Sequence, residues 1–336
     1  MKLTRKQVLQ TLFFLLLGLV IVYFQVSKLS PEEKKQAIES IKGANYYWIG
    51  IAMVISLFSH FVRGIRWAQL INASGEKVKP LNAFYGVLIG YFINGFVPRL
   101  GEVIRCVVLG KKEDVKFEKL LGTVVAERVF DAVTLLVIIM LTLLLQFNFL
   151  YGFLNERLFK PTIESLQFSL PKLLFFIFGF IALLAALFFG GRIISKRYQV
   201  VNKLKLKWES VRSSFFEGLQ TIVKIKNKPL FVGYSLLMWL SYFFMSFFVF
   251  KSLTESKHLG VDAGMSVLTS GSLALILPTP GGLGSYHEFV SLTLQLYNVS
   301  EVIGVSLSWL IWLTNYLIIL LGGVISLLLI SINSKS

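Results

Sequence analysis

Gly90-Tyr-Phe-Ile-Asn94-Gly-Phe-Val-Pro98-Arg99-Leu-Gly101-Glu102-Val-Ile-Arg105 interrupts an otherwise apolar run with a proline, glycines and three charges. Proline cannot continue a helix and glycine permits a reversal, so the stretch predicts a helix, a break and a second helix. The stretch Leu277-Pro278-Thr279-Pro280-Gly281-Gly282-Leu283-Gly284-Ser285-Tyr286-His287-Glu288 repeats the device 180 residues later, counting Pro98 to Pro278. Neither half of either segment is long enough to cross a hydrocarbon core of roughly 30 Å comfortably. Irregular backbone at that depth is stable only when it is buried in protein or lines a wet cavity.

The rest of the chain puts these breaks in a membrane. Of 336 residues 55% are hydrophobic and 15% charged, and the mean hydropathy is +0.71. An average soluble protein has about 25% charged residues. Eight apolar stretches, 8–26, 46–62, 81–109, 121–149, 173–190, 230–250, 263–296 and 302–330, cover 196 residues. This excludes a soluble enzyme and leaves too little sequence for a separate catalytic domain. Cys106 is the single cysteine and His60, His258 and His287 are scattered, so neither a disulfide nor a metal centre is expected. Metalloprotease, serine-hydrolase, P-loop and dinucleotide motifs are absent, and no cofactor is expected.

The net charge of +16 tests the topology. With a cytoplasmic N-terminus, and with 81–109 and 263–296 each entering and leaving on one side, 22 Lys and Arg fall inside and nine outside. Reading 81–98 as a simple span would instead put the ten basic residues of 191–229 outside, against the positive-inside rule. The expected fold is therefore an all-α polytopic membrane domain over 1–336. It has six full transmembrane helices and two re-entrant helical hairpins of opposite orientation, an inverted repeat in topology. Both termini are cytoplasmic. Arg63 and Arg66-Trp67, just past the second stretch, read as an interfacial anchor. Ser30-Pro31-Glu32-Glu33 reads as a capping box opening a short outer helix that stops at Gly43. In 191–229 the apolar residues Val201, Leu204, Trp208, Val211, Phe215, Leu219 and Ile222 recur at helical spacing between lysines and arginines. This helix either lies on the anionic leaflet or packs on its own bundle.

Charges inside apolar stretches supply the candidate chemistry. Arg99, Glu102 and Arg105 are three apart and share a helical face. Glu127, Arg128 and Asp131 form a second cluster, and Glu288 follows the second break. These seven groups comprise three positive and four negative charges. One reading has Arg99 or Arg105, with the half-helix N-terminus near Gly284, hold an anionic headgroup while the carboxylates pair or relay protons. The other has the charges only pin the first hairpin to the third span. His287, beside a tyrosine, reads as a satisfied polar residue before a proton relay.

At these residues the chain resembles the lysylphosphatidylglycerol synthase/flippase transmembrane-domain family, which includes the membrane half of the bacterial multiple peptide resistance factor. The matching features, in order, are Arg63-x-x-Arg66-Trp67, Asn94-x-x-x-Pro98-Arg99-x-Gly101-Glu102-x-x-Arg105, Glu127-Arg128-x-x-Asp131 and Pro278-x-Pro280-Gly281-Gly282-x-Gly284. The resemblance implies a lipid-translocating domain of the bacterial inner membrane with two re-entrant hairpins. It implies a substrate site at Asn94, Pro98, Arg99, Gly101, Glu102, Arg105, Pro280, Gly281, Gly282 and Gly284. In fused members a cytoplasmic lysyltransferase domain follows the last span; this chain ends at Ser336, so no transferase activity is expected. The family pattern Gly-x-x-Glu has His287 at the acidic position here, with Glu288 one residue later, a rotation of about 100° around a helix.

Three function classes follow. The leading one flips an anionic phospholipid or lipid-linked precursor between leaflets, with membrane lipids as partners and no nucleic acid. A lipid-modifying enzyme using the same carboxylates as bases is the second. A non-transporting partner of a separate lipid synthase is the third.

Overall fold

The computed structural model describes residues 5–146 and 221–332. The expected span 173–190 and most of the basic segment 191–229 lie outside the described residues. The helices are α1 (Arg5–Ser27), α2 (Pro31–Lys42), α3 (Tyr46–Ala73), α4 (Pro80–Asn94), α5 (Leu100–Glu113), α6 (Phe117–Leu145), α7 (Lys228–Phe250), α8 (Val261–Ala274), α9 (Ser285–Gln295) and α10 (Glu301–Ile332). No strand occurs among the described residues. By length and composition α3, α6, α7 and α10 can cross a bilayer, and α1 with α2 supplies a fifth candidate.

The chain turns by 108° between α1 and α2. Ser30 Oγ accepts from the Glu33 amide, the Glu33 carboxylate accepts from the Ser30 amide, and Gly43 closes α2 by donating to Glu39 O. Both capping signals read in the sequence are thus present.

α3 ends neither at residue 62 nor near it. It has 28 residues, about 42 Å at 1.5 Å per residue, so Arg63, Arg66 and Trp67 sit well within it. The positive-inside count had placed both arginines in a cytoplasmic loop. A helix can carry arginines onward when a neighbour supplies carboxylates, and α6 does so.

Each broken segment is an antiparallel helical hairpin. In the first, a Cβ on Gly86 would face Arg105 O, and one on Gly101 would fall 1.8 Å from Gly90 O. Only glycine at 101 lets α4 and α5 close. Arg99 reverses the chain in the left-handed region (φ 65°), a costly conformation for a non-glycine residue. In the second, Ser285 Oγ donates to Ala274 O and Gly271 packs against the Tyr286 ring. A 3-10 turn, Pro280–Gly282, forms the tip, with Gly281 at φ 57° and Gly282 at φ 79°.

α10 carries both hairpins end to end. Gly304 accommodates Ser291 of α9, while Gly322 and Gly323 accommodate Leu88 and Phe92 of α4. Between these contacts, a Cβ on Gly95 or on Gly281 would meet the Tyr316 ring at 3.1 or 3.2 Å, and one on Gly281 would lie 3.6 Å from Gly95 Cα. The two tips therefore meet at Tyr316, approached from opposite ends of one helix. Gly304 to Gly323 measures about 28 Å along the axis, close to one hydrocarbon thickness.

Gly101→Ala should destabilise the fold by about 3 kcal/mol, because a methyl group cannot be accommodated against backbone. Gly122→Ala, with nothing within 4 Å of the added carbon, is the control and should melt at or slightly above wild type. Thermal melting in detergent measures both; equal melting temperatures would contradict the hairpin packing.

Candidate functional site

A cavity of about 530 Å³ opens where the tips meet. Both breaks contribute to its wall, as do α3, α6, α7 and α10. Of the residues singled out in the sequence, Asn94, Pro98, Arg99, Glu102, Gly281 and Gly282 line it, with Arg63, Arg128 and Asp131.

The remaining candidates lie elsewhere. Gly101 is consumed in closing the first hairpin, and Pro280 is buried in the second tip. Gly284 packs on α1, where a Cβ would fall 2.4 Å from Gly18 O. The expected anion-binding N-terminus of α9 is thereby closed: Ser285 is buried and bonded to Thr279 and Ala274. His287 is fully buried and stacks on Trp309 at 3.9 Å, so it belongs to packing and not to a relay in the cavity. Glu288 pairs with Lys28 at 3.2 Å and is likewise outside the cavity. The rotation of the acidic position relative to the family pattern thus turns Glu288 toward the end of α1.

The anchor reading of Arg63, Arg66 and Trp67 is overturned, since all three are buried. Arg63 donates to Asp131 Oδ2 at 2.7 Å and Arg66 to Asp131 Oδ1 at 2.6 Å. Both also reach Glu127 Oε1, each at 3.3 Å, and Arg66 donates to Ser235 Oγ on α7. Arg105 donates to Glu127 Oε2 at 2.8 Å and stacks over Trp67, whose indole N–H donates to Thr123. Arg105 is therefore committed beneath the cavity wall. Glu127 lies ten residues into α6, about 15 Å from its start, so this cluster is deep within the helix.

Nearer the cavity, Asn94 accepts from the Gly101 amide and donates to Glu102, which pairs with Arg128 at 3.4 Å. Arg99 is exposed. Five arginines (63, 66, 99, 105, 128) thus gather with three carboxylates (102, 127, 131), a surplus of two positive charges. The sequence reading of near balance tipped toward negative is reversed, because Arg63 and Arg66 join the cluster and Glu288 leaves it. No cluster of three or more His, Cys, Asp or Glu side chains suited to a metal occurs among the described residues.

Several cavity residues carried weak sequence signals. His60, Tyr91, Trp239, Tyr242, Trp312, Asn315 and Tyr316 are polar or aromatic interruptions of apolar stretches, ordinary singly. Asn315 was the most visible, an amide in the middle of 302–330.

A model of the lysylphosphatidylglycerol synthase transmembrane region matches residues 9–323. The chain belongs to this family. A UPF0104 membrane protein of Methanocaldococcus jannaschii is 30% identical over 243 residues, 72% of this chain and 95% of the relative. A second from the same organism is 23% identical and covers 98% of this chain and 96% of its own. One from Pyrococcus horikoshii is 24% identical over 87% of this chain and 90% of its own. No solved structure matches. Family and helices together make this synthase-region member a multi-pass membrane protein.

Glu127→Gln leaves three buried arginines sharing one carboxylate and should destabilise the protein by about 3–5 kcal/mol. Glu102→Gln, in a partly exposed pair, should cost about 1 kcal/mol or less. Thermal melting of the two variants side by side checks the ranking, and equal losses would contradict it.

Proposed function

We propose that the chain moves an anionic phospholipid or lipid-linked precursor between leaflets. The observation that carries this reading is the positive surplus around a cavity bounded by both hairpin tips. Charged groups in a membrane are costly, and an arginine excess persists there when an anion completes it. Arg99 and Arg128 are the headgroup ligands, since Arg63, Arg66 and Arg105 are committed to Glu127 and Asp131. Guanidinium groups suit a phosphodiester because they offer paired donors.

In this reading the hairpins re-enter the membrane from opposite faces, with both termini cytoplasmic, in the cell membrane. A midplane site between opposed hairpins is the arrangement expected of alternating access. Transport is preferred over headgroup chemistry because, among the described residues, no nucleophile stands beside a free carboxylate base at the cavity: Glu102 and Asp131 are held by arginines.

Two experiments follow. In proteoliposomes, Arg99→Ala with Arg128→Ala should slow translocation of a fluorescent anionic phospholipid at least tenfold while the protein stays monodisperse. An unchanged rate would remove the assigned site. For topology, in a Cys106→Ala background, Asp114→Cys should react with an impermeant maleimide only from the cytoplasmic side and Lys257→Cys only from outside. Labelling of both from one side would contradict the opposed re-entry.

A further inference from the structure

α1 has 23 residues, about 34 Å at 1.5 Å per residue, and so spans a hydrocarbon core of roughly 30 Å by itself. The 108° turn that follows leaves α2 close to perpendicular to α1, along the membrane surface. Exposed aromatics mark the same level: Tyr23 near the end of α1, and Tyr46 and Tyr47 at the start of α3, the latter edge-on to Trp48. Tyrosine and tryptophan collect where acyl chains meet water.

α2 divides its charges by face. At about 100° per residue, all three of its lysines, Lys34, Lys35 and Lys42, fall within about 60° of Ile38. All three of its glutamates, Glu32, Glu33 and Glu39, fall about 100° or more away. Ile38 is 53% exposed. The buried side of α2 sits on α10: Ala37 clusters with Val302, and Ser306 Oγ donates to Ala37 O at 3.4 Å. Ile41 shows which flank of that contact looks into the membrane. It lies between Ala37 and Ile38 around the helix and packs on the apolar cluster of Ile49, Val249 and Ile303. The flank bearing Ile38 and the lysines therefore turns toward the acyl chains, and the glutamates turn toward water. Lys35 and Glu39, 3.9 Å apart where the two flanks meet, form an exposed pair that contributes little.

We propose that α2 is a membrane-surface helix whose Ile38 flank docks on an anionic phospholipid leaflet, with Ile38 entering the acyl boundary and Lys34, Lys35 and Lys42 reaching lipid phosphates. A lysine stem is apolar and its ammonium seeks the phosphate layer, so three lysines around one isoleucine suit both depths of that surface. Three positive charges and no carboxylate on this flank of α2 match an anionic leaflet, since each lysine near such a surface adds attraction. The docking does not depend on what the cavity carries. It does set the cavity's depth. Tyr316 lies ten residues beyond Ser306 on α10, about 15 Å, so a surface-bound α2 places the meeting hairpin tips halfway through the core.

Spin-label depth measurement on the full chain in lipid vesicles tests this. In a Cys106→Ala background the label is attached in turn at Ile38→Cys and Gln36→Cys, both exposed positions on opposite flanks of α2. Collision rates with oxygen, which concentrates among acyl chains, and with a neutral nickel complex, which stays in water, give the depth. In phosphatidylcholine vesicles containing phosphatidylglycerol, the label at 38 should lie about 5–10 Å below the phosphates and the label at 36 in water. In phosphatidylcholine alone the label at 38 should sit shallower. Lys34→Gln, Lys35→Gln and Lys42→Gln together should remove that difference between the vesicles. Equal water exposure at 36 and 38 overturns the docking. So does a label at 38 shielded from both collision partners, because a protein surface then covers the flank. Equal depth at 38 in the two vesicles with the lysines present overturns the anionic surface as the partner. None of these outcomes bears on the anionic-lipid reading of the cavity, which the translocation assay tests separately.

Discussion

Two carboxylates on α6, Glu127 and Asp131, hold three arginines from two other helices in a buried cluster. They are four residues apart and so share one helical face. Arg63 and Arg66, three apart on α3, meet that face together, and Arg105 reaches it from α5. Isolated charges at this depth would be costly, so the cluster fixes the rotation of α3, α5 and α6 about their axes. The position of the first hairpin depends on it, and through the hairpin so does the cavity.

The second constraint is backbone proximity along α10. Gly304 on one side and Gly322 with Gly323 on the other allow α9 and α4 to approach closely, and Tyr316 fills the gap where the tips converge. A charge cluster that orients one hairpin and a shared helix that aligns both leave an unfilled volume between the breaks. Irregular backbone is tolerable there because tip and cavity coincide. Arg63, Asp131 and Glu102 reach the wall already paired, while Arg99 and Arg128, the latter beside Glu102, are exposed there.

Much of this was legible in the sequence. Prolines and glycines located both breaks, and Ser30 with Glu33 marked the start of α2. The extent of α3 was not legible, because a hydropathy boundary drawn at the first arginine assumes that arginine seeks water. Arg63 and Arg66 instead find Glu127 and Asp131, a partnership 61 to 68 residues apart that periodicity cannot display. The sign of the site was misjudged for the same reason. Gly284 was read as an open helix end, and the approach of α1 that closes it is also a tertiary fact. His60 and Asn315 are 255 residues apart, and neither belongs to a recognisable motif.

The claim on which the rest turns is that the arginine excess is completed by an anionic lipid. Lipid mass spectrometry of the protein purified in mild detergent, compared with the whole-membrane extract, tests it most directly. The account predicts enrichment of an anionic phospholipid over zwitterionic lipids, lost when Arg99 and Arg128 are both replaced by alanine. A co-purified lipid profile matching the bulk membrane, or one unchanged by those replacements, would contradict it.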